Sequence, residues 1–236
     1  MDTAQANEKV VQRRFMNDKK SRLLDILAFP KKSFENLTDN KKTLIAGIVL
    51  IGAVDLLLPD VAYFFKTLFS GKQTADIVYN ACMMAVMILL LGLIDVLFIS
   101  VPLFDIFRAL KIKELKISQN TELKVDPATE LKPSYIKVMK IYIMTHFIIT
   151  PITTAFYFAV SGYINDSPDW LVSLAVAFSL VMNIWFSSII ARGINTIFRF
   201  SPLFNRLTFI IVYIWNFIFG TVFSEMIVKW LMKLFR

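Results

Sequence analysis

The sequence predicts an all-α, polytopic transmembrane helix bundle of five spans, and three observations predict it. Of 236 residues, 56% are hydrophobic and 14% aromatic, and the mean hydropathy is +0.60. A soluble domain of this length cannot bury that much apolar surface around one core, whereas a lipid-exposed bundle has no need to. Five apolar stretches are long enough to cross ~30 Å of hydrocarbon as helices. Finally, Lys and Arg are sorted onto alternate sides of those stretches, as membrane insertion requires.

The stretches run from about 44 to 65, 77 to 103, 136 to 160, 170 to 191 and 207 to 231, with Pro59 in the outer third of the first and Pro151 inside the third. They are continuously apolar rather than alternating, and twice as long as a barrel strand, so helices fit and strands do not. Residues 1–42 form a basic cytoplasmic segment and residues 43–236 the membrane domain, with a cytoplasmic loop over about 104–135.

Orientation follows from the basic residues. Ten precede the first span, eight lie between the second and third, and three lie between the fourth and fifth. The opposite side holds two after the first span, none after the third and three at the C-terminal end. This 21-to-5 asymmetry places the N-terminus in the cytoplasm and the C-terminus outside. The same sorting assigns the net charge of +8 to membrane orientation and anionic lipid headgroups rather than to nucleic acid. Trp170 and Trp230 fall near outer ends of spans, where amphipathic rings are favoured; Trp185 and Trp215 lie deeper and are expected to pack between helices.

Cys82 is the single cysteine, so the chain has no intrachain disulfide; inside an apolar run it reads as a small buried hydrophobe. The first ~40 residues have no apolar core of the length that signal-peptide cleavage requires, so the first span is expected to act as the insertion signal. Upstream of it, Leu23, Ile26 and Leu27 share a helical face just after Lys19, Lys20 and Arg22. This pattern fits a short helix on the inner membrane surface, its basic residues on lipid headgroups, or equally one packed under the bundle. Pro30 ends it, Phe34 and Leu37 suggest a second short helical turn, and Asp39 or Asn40 caps the first span. In the cytoplasmic loop, Leu115-Lys-Ile-Ser and Leu123-Lys-Val alternate around Gln119-Asn120, which suits a small hairpin or a linker. No Gly-rich phosphate loop, metal-ligand cluster or nucleophile motif appears, and no cofactor is expected.

Ionisable groups inside spans are costly and mark functional candidates. They are Asp55, Asp95, His146 and Glu225. Counted from the cytoplasmic ends, Asp95, His146, Asn183 and Asn216 all lie roughly 12–15 Å deep. Four helices thus place polar groups in one layer, in which Asp95 and His146 could pair and the two amides satisfy the remaining valences. The layer reads either as a polar pocket or path, or as an interhelical clamp. Asp55 sits at the outer surface if Pro59 ends the first span. Glu225 has Lys229 at i+4 as a structural partner. Asp105 and Arg108 read as anchors at the inner boundary. Gly47 and Gly52, five apart, do not make a small-residue dimer face.

The cytoplasmic element Phe29-Pro-Lys-Lys-Ser-Phe-Glu-Asn-Leu37, set immediately before the first of five closely spaced spans, resembles the prokaryotic branch of the Yip (Ypt-interacting) family. The resemblance implies a five-span fold with the N-terminus inside and a bacterial plasma-membrane location. Eukaryotic members bind Rab-type GTPases through a cytoplasmic Asp-Leu-Tyr-Gly-Pro-like motif that is absent here; Gly162-Tyr163 lies in an outer loop, so no site is carried over. Three functions remain: a non-enzymatic protein organising lipids or protein partners, itself included; a small transporter or channel using the Asp95–His146 layer; and, least favoured, a lipid-active enzyme.

Overall fold

A computed structural model describes residues 30–57, 74–119, 133–161 and 169–222, together with Met226. These residues build six helices and no strand: α1 (Lys31–Glu35), α2 (Lys41–Leu57), α3 (Thr74–Gln119), α4 (Tyr135–Ser161), α5 (Asp169–Phe198) and α6 (Pro202–Val222). The last four are long and apolar enough to cross a membrane. At ~1.5 Å per residue, α2 spans ~26 Å over its 17 described residues and α3 spans ~69 Å over 46.

Helix α3 is therefore far longer than the stretch from 77 to 103 that the bilayer needs. Residues 115–118, expected in a small hairpin or a linker, are its continuation. The reason lies in tertiary contacts that alternation does not reveal. Glu114 accepts the Ser201 amide hydrogen at 2.6 Å, and Lys111 Nζ donates to the Arg199 carbonyl at 3.1 Å. Lys111 also pairs with Glu114 at 3.0 Å and lies 5.7 Å above the Phe200 ring. The extension of α3 thereby clamps the α5–α6 turn, where Arg199 adopts φ 50° and Pro202 opens α6.

At the same end, Phe34 from α1 is 2% exposed and joins the main core, with Leu37 packed beside it. Lys140, itself buried on α4, donates to the Thr38 carbonyl at 2.6 Å, and Ser134 donates to Asp39. The expected turn at Phe34 is thus a helix docked against α5. Asn40 caps α2 by accepting the Lys42 amide hydrogen at 2.9 Å. The stretch containing Leu23, Ile26 and Leu27, with Lys19, Lys20 and Arg22, lies outside the described residues, as do Pro59, Glu225, Lys229 and Trp230.

The main core is a seam of aliphatic and aromatic side chains from α2 to α6, with Val96, Ile141, Ile189, Ile194 and Val212 fully enclosed, and a smaller cluster of Met87 and Leu91 with Leu56 and Ile94 lies apart from it. Outward faces are equally apolar: Val78, Leu89, Phe98, Phe158, Val181 and Ile214 are all exposed. Hydroxyls on these helices turn inward on their own backbone. Ser179 bonds the Ala175 carbonyl at 2.9 Å, and Ser188 bonds that of Ile184 at 2.7 Å. An apolar exterior with self-satisfied hydroxyls suits lipid and not water.

Cys82, expected to be buried, is exposed. In a bundle whose exterior is apolar, the outward face takes a thiol as readily as the core does. Trp170 is 65% exposed at the start of α5, while Trp185 and Trp215 pack against the core, as expected from their depth.

Candidate functional site

Close helix approach creates the site. A Cβ on Gly52 would stand 1.8 Å from the Ile88 carbonyl oxygen, and one on Gly92 would stand 2.0 Å from that of Ile48. Helices α2 and α3 therefore touch backbone to backbone, with Ile48 beside Gly92 and Gly52 beside Ile88, an antiparallel crossing. Gly52 does serve a small-residue contact, but with Gly92 of the same chain. Asp55 and Asp95 each follow their glycine by three residues, so both fall on the facing side, a turn to either side of the crossing.

Helix α4 closes the third side. Its Ile143 fills the space over Gly47 and its Ile141 that over Gly193 of α5. That register turns Tyr142 and His146, four residues apart and hence on one face, towards Asp95. Tyr142 donates its hydroxyl hydrogen to the Asp95 carboxylate, 2.9 Å from Oδ1 and 2.8 Å from Oδ2. Both residues are buried. His146 Nε2 stands 3.9 Å from Asp95 Oδ2, beyond hydrogen-bond range, and has no hydrogen-bond partner although the atom is fully enclosed. The Phe186 ring of α5 packs edge-on against both, 5.7 Å from the Tyr142 ring and 4.9 Å from the imidazole.

The amides expected in the same layer form a group of their own. Asn216 Nδ2 donates to Asn183 Oδ1 at 3.2 Å and to Ser187 Oγ at 3.4 Å, tying α6 to α5. Ser187 Oγ in turn lies 3.4 Å from Asn183 Oδ1. No hydrogen bond among the described residues joins this group to Asp95 or His146. The four predicted residues thus resolve into an Asp95–His146 pair in ionic contact range and an Asn183–Asn216 pair in direct hydrogen bond, with Phe186 on α5 between Asn183 and Ser187 in sequence and against the imidazole in space.

Asp55 lies half-buried on α2, its Oδ2 enclosed and without a hydrogen-bond partner, while Pro59, on which its expected place at the outer surface depends, lies outside the described residues. Tyr142 and Ser187 are further members that reading ionisable residues alone does not find. For Tyr142 a signal exists, since it is the i−4 neighbour of His146. Among the described residues no three His, Cys, Asp or Glu side chains converge as metal ligands do. No family model, curated protein or solved structure matches the chain.

Proposed function

We propose that this chain is a five-span integral membrane protein of the Yip kind, N-terminus cytoplasmic and C-terminus outside, that organises lipids or protein partners at the inner face of a bacterial plasma membrane without catalysing a reaction. The observation that carries this reading is the docking of Phe34. Of the element on which the Yip resemblance rests, the described part, Pro30 to Leu37, docks at the base of the bundle, with Phe34 2% exposed and the following Thr38 carbonyl held by Lys140. A rigid cytoplasmic face is what a protein that positions other molecules needs. Basic residues upstream, Lys19, Lys20 and Arg22, supply the attraction to anionic headgroups.

Two experiments test it. With Cys82→Ser as background, Lys32→Cys and Thr74→Cys versions are labelled in intact cells by a membrane-impermeant maleimide. Labelling of Thr74→Cys alone supports the orientation, and the reverse pattern sinks it. In vesicles containing labelled anionic or labelled neutral lipid, energy transfer from the tryptophans is expected to favour the anionic label. Equal transfer to both, or no change on combining Lys19→Gln, Lys20→Gln and Arg22→Gln, removes the lipid-organising role.

A second reading, a small transporter or channel, is favoured by the enclosed and unpartnered His146 Nε2 and Asp55 Oδ2, because stability alone gives no reason to keep such atoms in hydrocarbon. Flux into vesicles that falls in His146→Ala supports it, and flux equal to wild type ends the role of the histidine.

A further inference from the structure

We propose that His146 is a proton-binding site inside the bundle, with the Asp95 carboxylate as its counter-ion and the Tyr142 and Phe186 rings as the walls beside the cation. The inference deepens the second reading above, on which it rests, by naming the proton as what the site takes.

The His146 side chain is 21% exposed, yet Nε2 itself is enclosed and has no hydrogen-bond partner. A neutral imidazole needs a donor or an acceptor at that nitrogen, according to where its hydrogen sits. Asp95 Oδ2 stands 3.9 Å away, too far for a hydrogen bond. A neutral ring gains little from such a spacing. An imidazolium gains from it at once, because attraction between opposite charges reaches across it.

The rest of the surroundings suits a cation as well. Tyr142 donates its hydroxyl hydrogen across both Asp95 oxygens, at 2.9 and 2.8 Å. An ionised carboxylate only accepts hydrogen bonds, and this is a contact it can make without a proton of its own. Two aromatic rings flank the imidazole, with the Tyr142 centroid at 4.6 Å and the Phe186 centroid at 4.9 Å, both set edge to face. Both lie within the ~6 Å at which an aromatic ring attracts a cation. One anion from α3 and one ring each from α4 and α5 therefore surround a single ionisable side chain.

The titratable groups set against His146 among the described residues are Asp95 from α3 and Tyr142 on its own helix, while α5 presents Phe186, which does not titrate. On α2, Asp55 follows Gly52 by three residues and lies on the opposite side of the helix crossing from Asp95. A proton taken up from water forms the Nε2–H bond and breaks no bond in the protein. The 3.9 Å contact then closes by about 1 Å to the length of a charge-assisted hydrogen bond, with Oδ2 accepting. Proton uptake thus draws α4 towards α3.

The test is solid-state NMR of the full chain in lipid nanodiscs, labelled with 15N at histidine and 13C at the aspartate carboxyls. His146 is the one histidine of the chain, so a single imidazole reports. The expected result is a reversible change from neutral to protonated imidazole on acidification, with an Nε2-to-carboxyl contact that shortens in the protonated form. In Asp95→Asn the proton affinity is expected to fall about tenfold or more, and in Asp55→Asn to stay near wild type. An imidazole that keeps one protonation state throughout, or that titrates alike in wild type and Asp95→Asn, overturns the proposal. So does an equal loss of affinity in Asp55→Asn, which would make the other carboxyl the counter-ion. Should Asp95→Asn not fold, the wild-type contact decides, and one that does not shorten on protonation counts against the pair. The flux assay fails separately: unchanged flux in His146→Ala beside a titrating imidazole ends the transport reading and leaves the proton site, whereas an imidazole that does not titrate removes the site whatever the flux.

Discussion

The Tyr142 hydroxyl sits astride the Asp95 carboxylate, 2.9 Å from one oxygen and 2.8 Å from the other, and both side chains are buried. This is the only hydrogen bond that either side chain makes among the described residues, and it joins α4 to α3 at mid-bundle. Tyr142→Phe leaves the ring contacts with His146 and Phe186 in place and strips Asp95 of its donor. The expected cost is about 1.5–3 kcal/mol, the range for a hydrogen bond to a charged group. Thermal unfolding in detergent measures it, and a Tyr142→Phe protein as stable as wild type would show the bond to be idle.

Ionisable residues in apolar runs stand out by their cost, so Asp95 and His146 were legible in the sequence, as was their proximity, 3.9 Å in the structure. Tyr142 was not, because a tyrosine in an apolar helix looks like any other core aromatic until its neighbour's direction is known. The direction in which Asp55 faces was not legible either, because Gly52 and its unforeseen partner Gly92 set the rotation of α2 against α3. The amides pair with each other and Ser187 rather than with Asp95 or His146, since position along a helix says nothing about rotation around it. Leu115-Lys-Ile-Ser satisfies the strand period over four residues, too short a run to exclude helix, and the Glu114–Ser201 tether settles the matter in three dimensions.

Glycine positions divide sharply by what a methyl group would meet. At Gly52 and Gly92 the obstacle is backbone, at 1.8 and 2.0 Å, so Gly52→Ala and Gly92→Ala must push α2 and α3 apart. At Gly220 nothing lies within 4 Å, and a helical glycine costs up to about 1 kcal/mol relative to alanine. Gly220→Ala is therefore expected to raise the unfolding temperature, and Gly52→Ala and Gly92→Ala to lower it. Equal effects at all three would contradict the crossing.

Phe34 anchors a five-residue helix too short to be stable unaided. Phe34→Ala removes a side chain 2% exposed, at a cost of about 3–5 kcal/mol if the site cannot collapse. Since α1 is peripheral, the loss is expected first as release of the segment before α2. Limited proteolysis of Phe34→Ala should cut between residues 30 and 40 while the bundle remains folded, and resistance equal to wild type would place the anchor elsewhere.

Glu114 carries the acid dependence of the α5–α6 turn. Burial pushes its carboxyl up, but the Ser201 amide and the Lys111 ammonium outweigh that effect and hold it below its ordinary value of 4.5. A carboxyl lowered in the folded state contributes stability that is fully present above the unfolded value and disappears as pH falls through the folded one. In wild type the clamp should thus persist at neutral pH and weaken only below about pH 4.5. Glu114→Gln still accepts the Ser201 hydrogen but loses the charge, so it is expected to cost about 1 kcal/mol at pH 7 and to flatten the acid limb. Unfolding temperature measured against pH separates the two proteins. Parallel curves would mean that another carboxyl governs the acid response, and convergence of the curves at low pH assigns it to this one.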